Sequence, residues 1–191
     1  MVLVFEYNNT IQIFIHIPKN SGKYIRNEIK EKKDVNILKC FWDVDHINKI
    51  DLAHMPYILF DKYLKDYNSE EIITYVRNPY HRIISAFIYK TNNQNPYEFR
   101  KFIKKNLIQY KFDSTYDFNI IHYYPQYLFL IDKNYNINIK NITIKKVEDL
   151  ENSRKYNFKK YYNNKILSII NKIYKKDFEY FNYEIINTLP K

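Results

Sequence analysis

The chain has 191 residues, one cysteine, a formal charge of +10 and 46% hydrophobic content. It reads as a single domain, 1–191, with enough apolar residues to close its own core, which excludes global disorder and a disulfide-stapled scaffold. The lone Cys40 also excludes a multi-cysteine zinc site, and the five histidines, at 16, 46, 54, 81 and 122, form no HExxH pattern.

A basic balance favours anionic partners such as nucleic acid, lipid headgroups, acidic glycans or a phosphate-rich cofactor. The pairs Lys104-Lys105, Lys145-Lys146, Lys159-Lys160 and Lys175-Lys176 are spread along the chain, as on solvated faces. The surplus of Lys, Asn, Ile and Tyr also fits drift in base composition. The first ten residues, "MVLVFEYNNT", contain a short apolar run but no basic n-region and no small-residue cleavage site. No apolar stretch approaches the ~20 residues of a membrane helix. The expectation is a soluble, cytoplasmic protein without a membrane span.

In chain order, "TIQIFIHI" alternates, with Ile11, Ile13, Ile15 and Ile17 on one face, and predicts a strand that Pro18 ends. From Ser21, a candidate N-cap, "SGKYIRNEIKEKK" turns helical. "VNILKCF" predicts a second strand and "MPYILFDKYLKDY" a helix from Pro56. "EIITYVRN" predicts a third strand, and Pro79 opens the helix "YHRIISAFIYK". "PYEFRKFIKKNL" reads as another helix and "YLFLID" as a short buried strand. "NINIKNITIKKVEDL" reads as extended, with a slip at Asn141 that suggests a bulge. From Asn163 onward the pattern is helical. Strands alternating with helices predict a three-layer α/β/α domain with a central, mainly parallel sheet, in which ligands bind beyond the carboxyl ends of the strands.

The chain has one glycine, Gly22, where average usage would give roughly a dozen. One glycine excludes a Rossmann fingerprint, a GxSxG elbow and an intact Walker A loop. Aligned on Walker A, "IPKNSGKY" has Ile17 for the first glycine and Tyr24 for the magnesium-binding hydroxyl. The mechanics of a phosphate loop remain: a strand end, a turn containing glycine and a helix N-terminus, flanked by Lys19 and Lys23. The anion implied is one that needs no magnesium.

"FIHIPKNSGKYI" resembles the loop that sulfotransferases, the carbohydrate (Golgi-type) enzymes above all, use for the 5′-phosphosulfate of PAPS (3′-phosphoadenosine-5′-phosphosulfate). "TYVRNPYHRIISAF" is similar to the family's 3′-phosphate motif, with Arg77 and Ser85 in its Arg and Ser places. "HYYPQ", "KKVEDLENS" and "IYKKDFEYFNY" resemble later family segments in the right order, so the likeness spans nearly the whole chain. It implies a P-loop-like nucleotide-binding fold and a PAPS-dependent sulfotransferase acting on a carbohydrate or related hydroxyl, with 3′,5′-ADP as product and no metal. The cofactor residues it implies are Lys19, Asn20, Ser21, Gly22, Lys23, Tyr24, Arg77 and Ser85. The loop departs from the family pattern at Asn20, Ser21, Lys23 and Tyr24.

Charge grows on the leaving phosphate oxygen during sulfuryl transfer, so Lys19, where the resemblance puts the loop lysine, is the candidate catalytic cation. An acceptor hydroxyl must lose a proton, and "DLAHMPY", which resembles the family's His-containing segment between the two cofactor motifs, implies His54 as the base, with His46 in "DVDHI" in reserve. His16 is expected to support the loop, His81 to be solvated, and His122 to line the acceptor side or steady a loop. Trp42 is a candidate stacking residue for adenine or sugar, with core packing the default for an aromatic side chain.

Two other functions stay open. One is a nucleotide kinase or NTPase with a degenerate loop, in which "ILFD" (58–61) or "FLID" (129–132) mimics a Walker B strand. The other is a basic module that binds polyanions.

Overall fold

The computed structural model describes residues 1–67, 71–113, 116–137, 142–151 and 153–189. Its centre is a five-stranded sheet in the order β3-β1-β2-β6-β7. The strands are β1 (Leu3–Tyr7), β2 (Thr10–Ile15), β3 (Val35–Cys40), β6 (Glu71–Val76) and β7 (Ile142–Lys146); β4 (Val44–Asp45) and β5 (Ile50–Asp51) form a separate two-stranded ribbon.

The first strand is one that alternation does not reveal. Val2, Leu3 and Val4 are all fully buried, because β1 is covered on both faces, and a short apolar run of that kind has no period to read. The overlooked signal is the turn. Tyr7 pairs with Thr10, and Asn8 and Asn9 between them both have positive φ, the geometry of a two-residue hairpin turn that asparagine tolerates. β1 therefore runs antiparallel to both neighbours, whereas β2–β6 and β6–β7 are parallel. Four of the five strands point the same way, but only two of the four pairings are parallel.

Two further expectations fail. "MPYILFDKYLKDY" gives a 3-10 turn and one helical turn, α2 (Phe60–Tyr63), rather than a long helix. "YLFLID" forms a 3-10 turn, Gln126–Leu130, and an isolated bridge from Ile131 to Ile137. Buried apolar residues in both segments pack one after another against the sheet, so burial set the composition without setting the conformation. Neither "ILFD" nor "FLID" is the strand that a Walker B element requires. The slip at Asn141 lies outside the described residues.

Of the longer helices, α3 (Pro79–Thr91), α4 (Pro96–Lys105) and α6 (Asn164–Ile173) begin alike. Asn78, Asn95 and Asn163 each accept a hydrogen bond from a first-turn N–H, and Pro follows the first two. Short α5 (Phe158–Tyr161) and α7 (Lys175–Tyr180) complete the helical set.

Helix α1 (Gly22–Glu31) covers one sheet face, with Ile25 and Ile29 against Leu3, Phe5 and Phe14. The opposite face (Val4, Ile13, Ile15, Ile72, Val76) is covered by Met55, Phe60, Tyr124, Leu128 and Phe129. The cluster made by α3, α4 and α6 joins that side through Phe112, Ile120 and Tyr183. The chain thus leaves β2 toward one side and the adjacent parallel strand β6 toward the other. That divergence opens a crevice at their carboxyl ends. No described helix is long and apolar enough to cross a membrane.

Candidate functional site

The crevice is a cleft of about 630 Å³. Lys19, Ser21, Gly22, Lys23, Tyr24, Arg77, Ser85, His54 and His122 all line it, so residues more than one hundred positions apart meet there. His16, Asn27, Tyr89, Arg154 and Tyr156 also line it. Four of its described lining residues are Lys or Arg, and none is Asp or Glu.

The loop is held from inside. The Arg82 Nε donates to Pro18 O at 3.0 Å, and Arg77 Nη1 donates to Lys19 O at 3.3 Å. Asn20 Nδ2 donates to Tyr75 O at 2.7 Å and to Gln126 Oε1 at 2.8 Å. Asn20 is only 1% exposed, and its side chain braces the loop from inside. Lys19 and Ser21 have positive φ, and these two left-handed residues turn the loop sharply into α1.

Ser21 does not act as the expected cap. Its side chain makes no cap hydrogen bond, and the first turn of α1 holds no acidic residue. The leading N–H groups of α1 therefore lack the side-chain partner that α3, α4 and α6 have, and Gly22, Lys23 and Tyr24 border the cleft.

Gly22 is not a positive-φ residue. A Cβ at this position would overlap the His16 imidazole. The glycine is required because a ring packs on it.

The His54 ring contacts both His16 and His122, with ring centroids 4.5 Å and 5.3 Å away. The Met1 amine contacts His16 Nδ1. His54 Nδ1 lies 2.9 Å from His16 O, and since a carbonyl only accepts, that nitrogen carries the proton and Nε2 keeps its lone pair. Burial holds His16 and His54 well below the ordinary histidine range and His122 down to about 3, so all three are neutral at pH 7. No group of three or more His, Cys, Asp or Glu among the described residues is arranged to hold a metal.

Burial, then the charges of Arg77 and Arg82, lower Lys19 to about 8. Its ammonium rests 3.8 Å from the centroid of the Tyr89 ring, which itself stacks on His122. Arg77 is 5% exposed at the end of β6; Nη2 donates to Arg154 O, and its guanidinium lies 5.5 Å from the Tyr156 ring. Among the described residues, two of its N–H groups meet carbonyls, and the side chain lines the cleft. Ser85 and Tyr89, four apart on α3, share one helical face. His81 is half-buried rather than solvated and accepts from Tyr156 N at 3.4 Å.

Gln126 is the connector that sequence reading missed. Its Oε1 accepts from Arg77 N at 2.8 Å as well as from Asn20, and its Nε2 donates to Arg77 O at 2.8 Å. Asp177 on α7 accepts from Gln126 N at 2.8 Å and Tyr127 N at 2.9 Å. Glu148 accepts from Asn78 N and Tyr183 OH, each at 2.8 Å. The segments "HYYPQ", "KKVEDLENS" and "IYKKDFEYFNY" thus supply buried polar ties behind the cleft.

Burial raises Asp177 to about 6 against the pull of those N–H groups and Arg82. Asp177→Asn would set an NH₂ group against a buried N–H. A loss of about 2–3 kcal/mol is expected, seen in a melting experiment as a fall in Tm of roughly 4–12 °C. An unchanged Tm would mean that this tie contributes nothing.

Scans against protein-family models, curated proteins and solved structures return no match for this chain.

Proposed function

We propose that this protein transfers a sulfuryl group from PAPS to a hydroxyl of a carbohydrate acceptor, on a P-loop-like nucleotide-binding fold. The observation that carries the proposal is the meeting of Lys19, Ser21, Gly22, Lys23 and Tyr24 with Arg77 and Ser85 in one cleft whose described lining residues include four Lys or Arg and no Asp or Glu. The residues fit the donor: α1 lacks a side-chain cap, and the Arg77 guanidinium lines the same cleft.

PAPS supplies the sulfuryl group. The chain's own residues bind it, orient it and handle charge. The N–H groups of α1 and Lys23 hold the 5′-phosphate end, and Arg77 with Ser85 holds the 3′-phosphate. His54 Nε2 takes the acceptor's proton as the hydroxyl oxygen bonds to sulfur and the bond from sulfur to the 5′-phosphate oxygen breaks. Lys19 meets the charge left on that phosphate.

Calorimetry with 3′,5′-ADP in the presence of EDTA tests this. Saturable binding is expected. Arg77→Ala should weaken it about 10- to 100-fold, the size of one or more lost charged hydrogen bonds; Ser85→Ala, which leaves the loop brace intact, should weaken it about fivefold. Absence of binding sinks the proposal. Magnesium-dependent ATP binding would restore the kinase alternative. Salt-sensitive polyanion binding that survives Lys19→Ala would restore the polyanion module.

A further inference from the structure

The four dibasic pairs stand apart in the sequence, but the fold brings two of them together. Lys104-Lys105 ends α4, Lys159-Lys160 lies in α5, and these two helices are in contact. Phe99 of α4 meets the Tyr161 ring at 5.4 Å and the Tyr162 ring at 5.5 Å, and Arg100 Nη1 donates to Lys160 O at 2.8 Å. The other two pairs belong to other elements. Lys145-Lys146 ends β7, and Lys175-Lys176 opens α7, where Lys175 meets Glu179 at 3.5 Å and Lys176 lies over the Tyr127 ring.

Helices α4 and α5 together carry six basic residues, Arg100, Lys101, Lys104, Lys105, Lys159 and Lys160, and one acidic residue, Glu98. All five lysines are exposed. Lys101 meets Glu98 at 3.7 Å; among the described residues no carboxylate lies within ion-pair distance of the other four. Tyr97, Lys101 and Lys104 recur at steps of four and three, so they share the face of α4 opposite the fully buried Phe99 and Ile103. Tyr97 is 64% exposed, and Ile108, in the 3-10 turn Leu107–Gln109 that follows the helix, is 52% exposed. The result is a strip of lysines with an uncovered aromatic ring at one end and an uncovered aliphatic side chain at the other.

Lysines that no carboxylate neutralises favour an anionic partner, and the residue types set its class. Recognition of nucleic acid leans on forked guanidinium groups and on bases stacked against rings. Here the one Arg is engaged with a carbonyl, and the rest of the charge is lysine. A lysine carries its ammonium on a long apolar stem, which suits a layer of lipid headgroups: the charge reaches phosphate or carboxylate while the stem lies along the surface. A tyrosine ring and an isoleucine at the ends of such a strip suit the boundary between headgroups and acyl chains. We infer that α4 and α5 form a peripheral docking surface for an anionic lipid membrane, with the lysines on the headgroups and Tyr97 and Ile108 at the acyl boundary. This surface docks whether or not the cleft binds PAPS.

Co-sedimentation with vesicles tests it. The probe is a vesicle of phosphatidylcholine and phosphatidylserine in equal parts, with pure phosphatidylcholine as the neutral control. The protein is expected to sediment with the anionic vesicles, less so as salt rises, and not with the neutral ones. Lys104→Ala combined with Lys105→Ala should weaken the binding about 10- to 30-fold, the size expected for two basic residues at an anionic surface. Lys159→Ala combined with Lys160→Ala, on the other helix, should give a similar loss. Lys175→Ala combined with Lys176→Ala removes the same charge from α7 and should weaken binding about twofold at most. All six side chains are exposed, so the melting temperature should hold in each variant. Equal losses from the α7 pair and the α4 pair would show that net charge alone attracts the vesicle, and would overturn the docking surface. So would equal sedimentation with neutral vesicles, or none with anionic ones. Binding of single-stranded polyuridylate that needs Lys104 and Lys105, without vesicle binding, would overturn the lipid partner in favour of nucleic acid.

Discussion

Lys19→Met is expected to slow release of 3′,5′-ADP from PAPS, with water or an oligosaccharide as acceptor, by about 10²–10³-fold, the cost of removing one preorganised charge from a transition state. Binding of 3′,5′-ADP should fall much less, about tenfold, because α1 and Arg77 remain. The pH profile supplies a second readout. Burial and the neighbouring Arg77 and Arg82 put Lys19 at about 8 in the free protein. The ammonium is present below that pH and lost above it, so kcat/KM should fall as pH rises through about 8. Bound anion favours the charged form, so the limb in kcat should lie higher. His54 is held well below the ordinary range, first by burial, and stays neutral from pH 6 to 7; no acid limb is expected there. Lys19→Arg should move the alkaline limb upward, since guanidinium stays charged. A Lys19→Met protein with an undiminished rate, or a wild-type rate flat across pH 8, removes Lys19 from the chemistry.

Gly22→Ala is expected to cost about 3 kcal/mol or more, well above an ordinary surface substitution. The new methyl would fall on the His16 imidazole, and that ring is confined by the Met1 amine, by His54 at 4.5 Å and by Phe14 at 6.1 Å. The drop in Tm should be roughly 6–12 °C. Replacing His16 by alanine in the same protein makes room, so Gly22→Ala with His16→Ala should regain most of the loss, a coupling of about 1–3 kcal/mol. If Gly22→Ala instead kept its Tm and lost only 3′,5′-ADP binding, the glycine would serve the approach of a phosphate rather than the packing of a ring.

The sequence by itself determined the elements whose local signals agree. "TIQIFI" and "EIITYV" alternate, and Asn-Pro at 78–79 and 95–96 caps and starts two helices, so β2, β6, α3 and α4 could be placed from residues alone. Two runs around β2 and β6 marked where the cleft lies, because Arg77 follows β6 directly and Lys19 stands four residues beyond the end of β2.

Tertiary structure decided the rest, for identifiable reasons. β1 is buried on both faces, so its side chains carry no period, and the pairing through Asn8 and Asn9 is visible only as a hairpin. Asn20 and Gln126 look like surface residues in one dimension; a contact across 106 positions makes them a buried pair. Ser21 looks like a cap, but its left-handed backbone leaves α1 without a side-chain cap. Trp42 was assigned by default to the core, whereas the tertiary structure leaves it 57% exposed with the Arg26 guanidinium over its ring. Gly22 could be read as special because it is alone. That a histidine ring six residues upstream is what excludes a side chain there is a fact of close packing, and no local pattern records it.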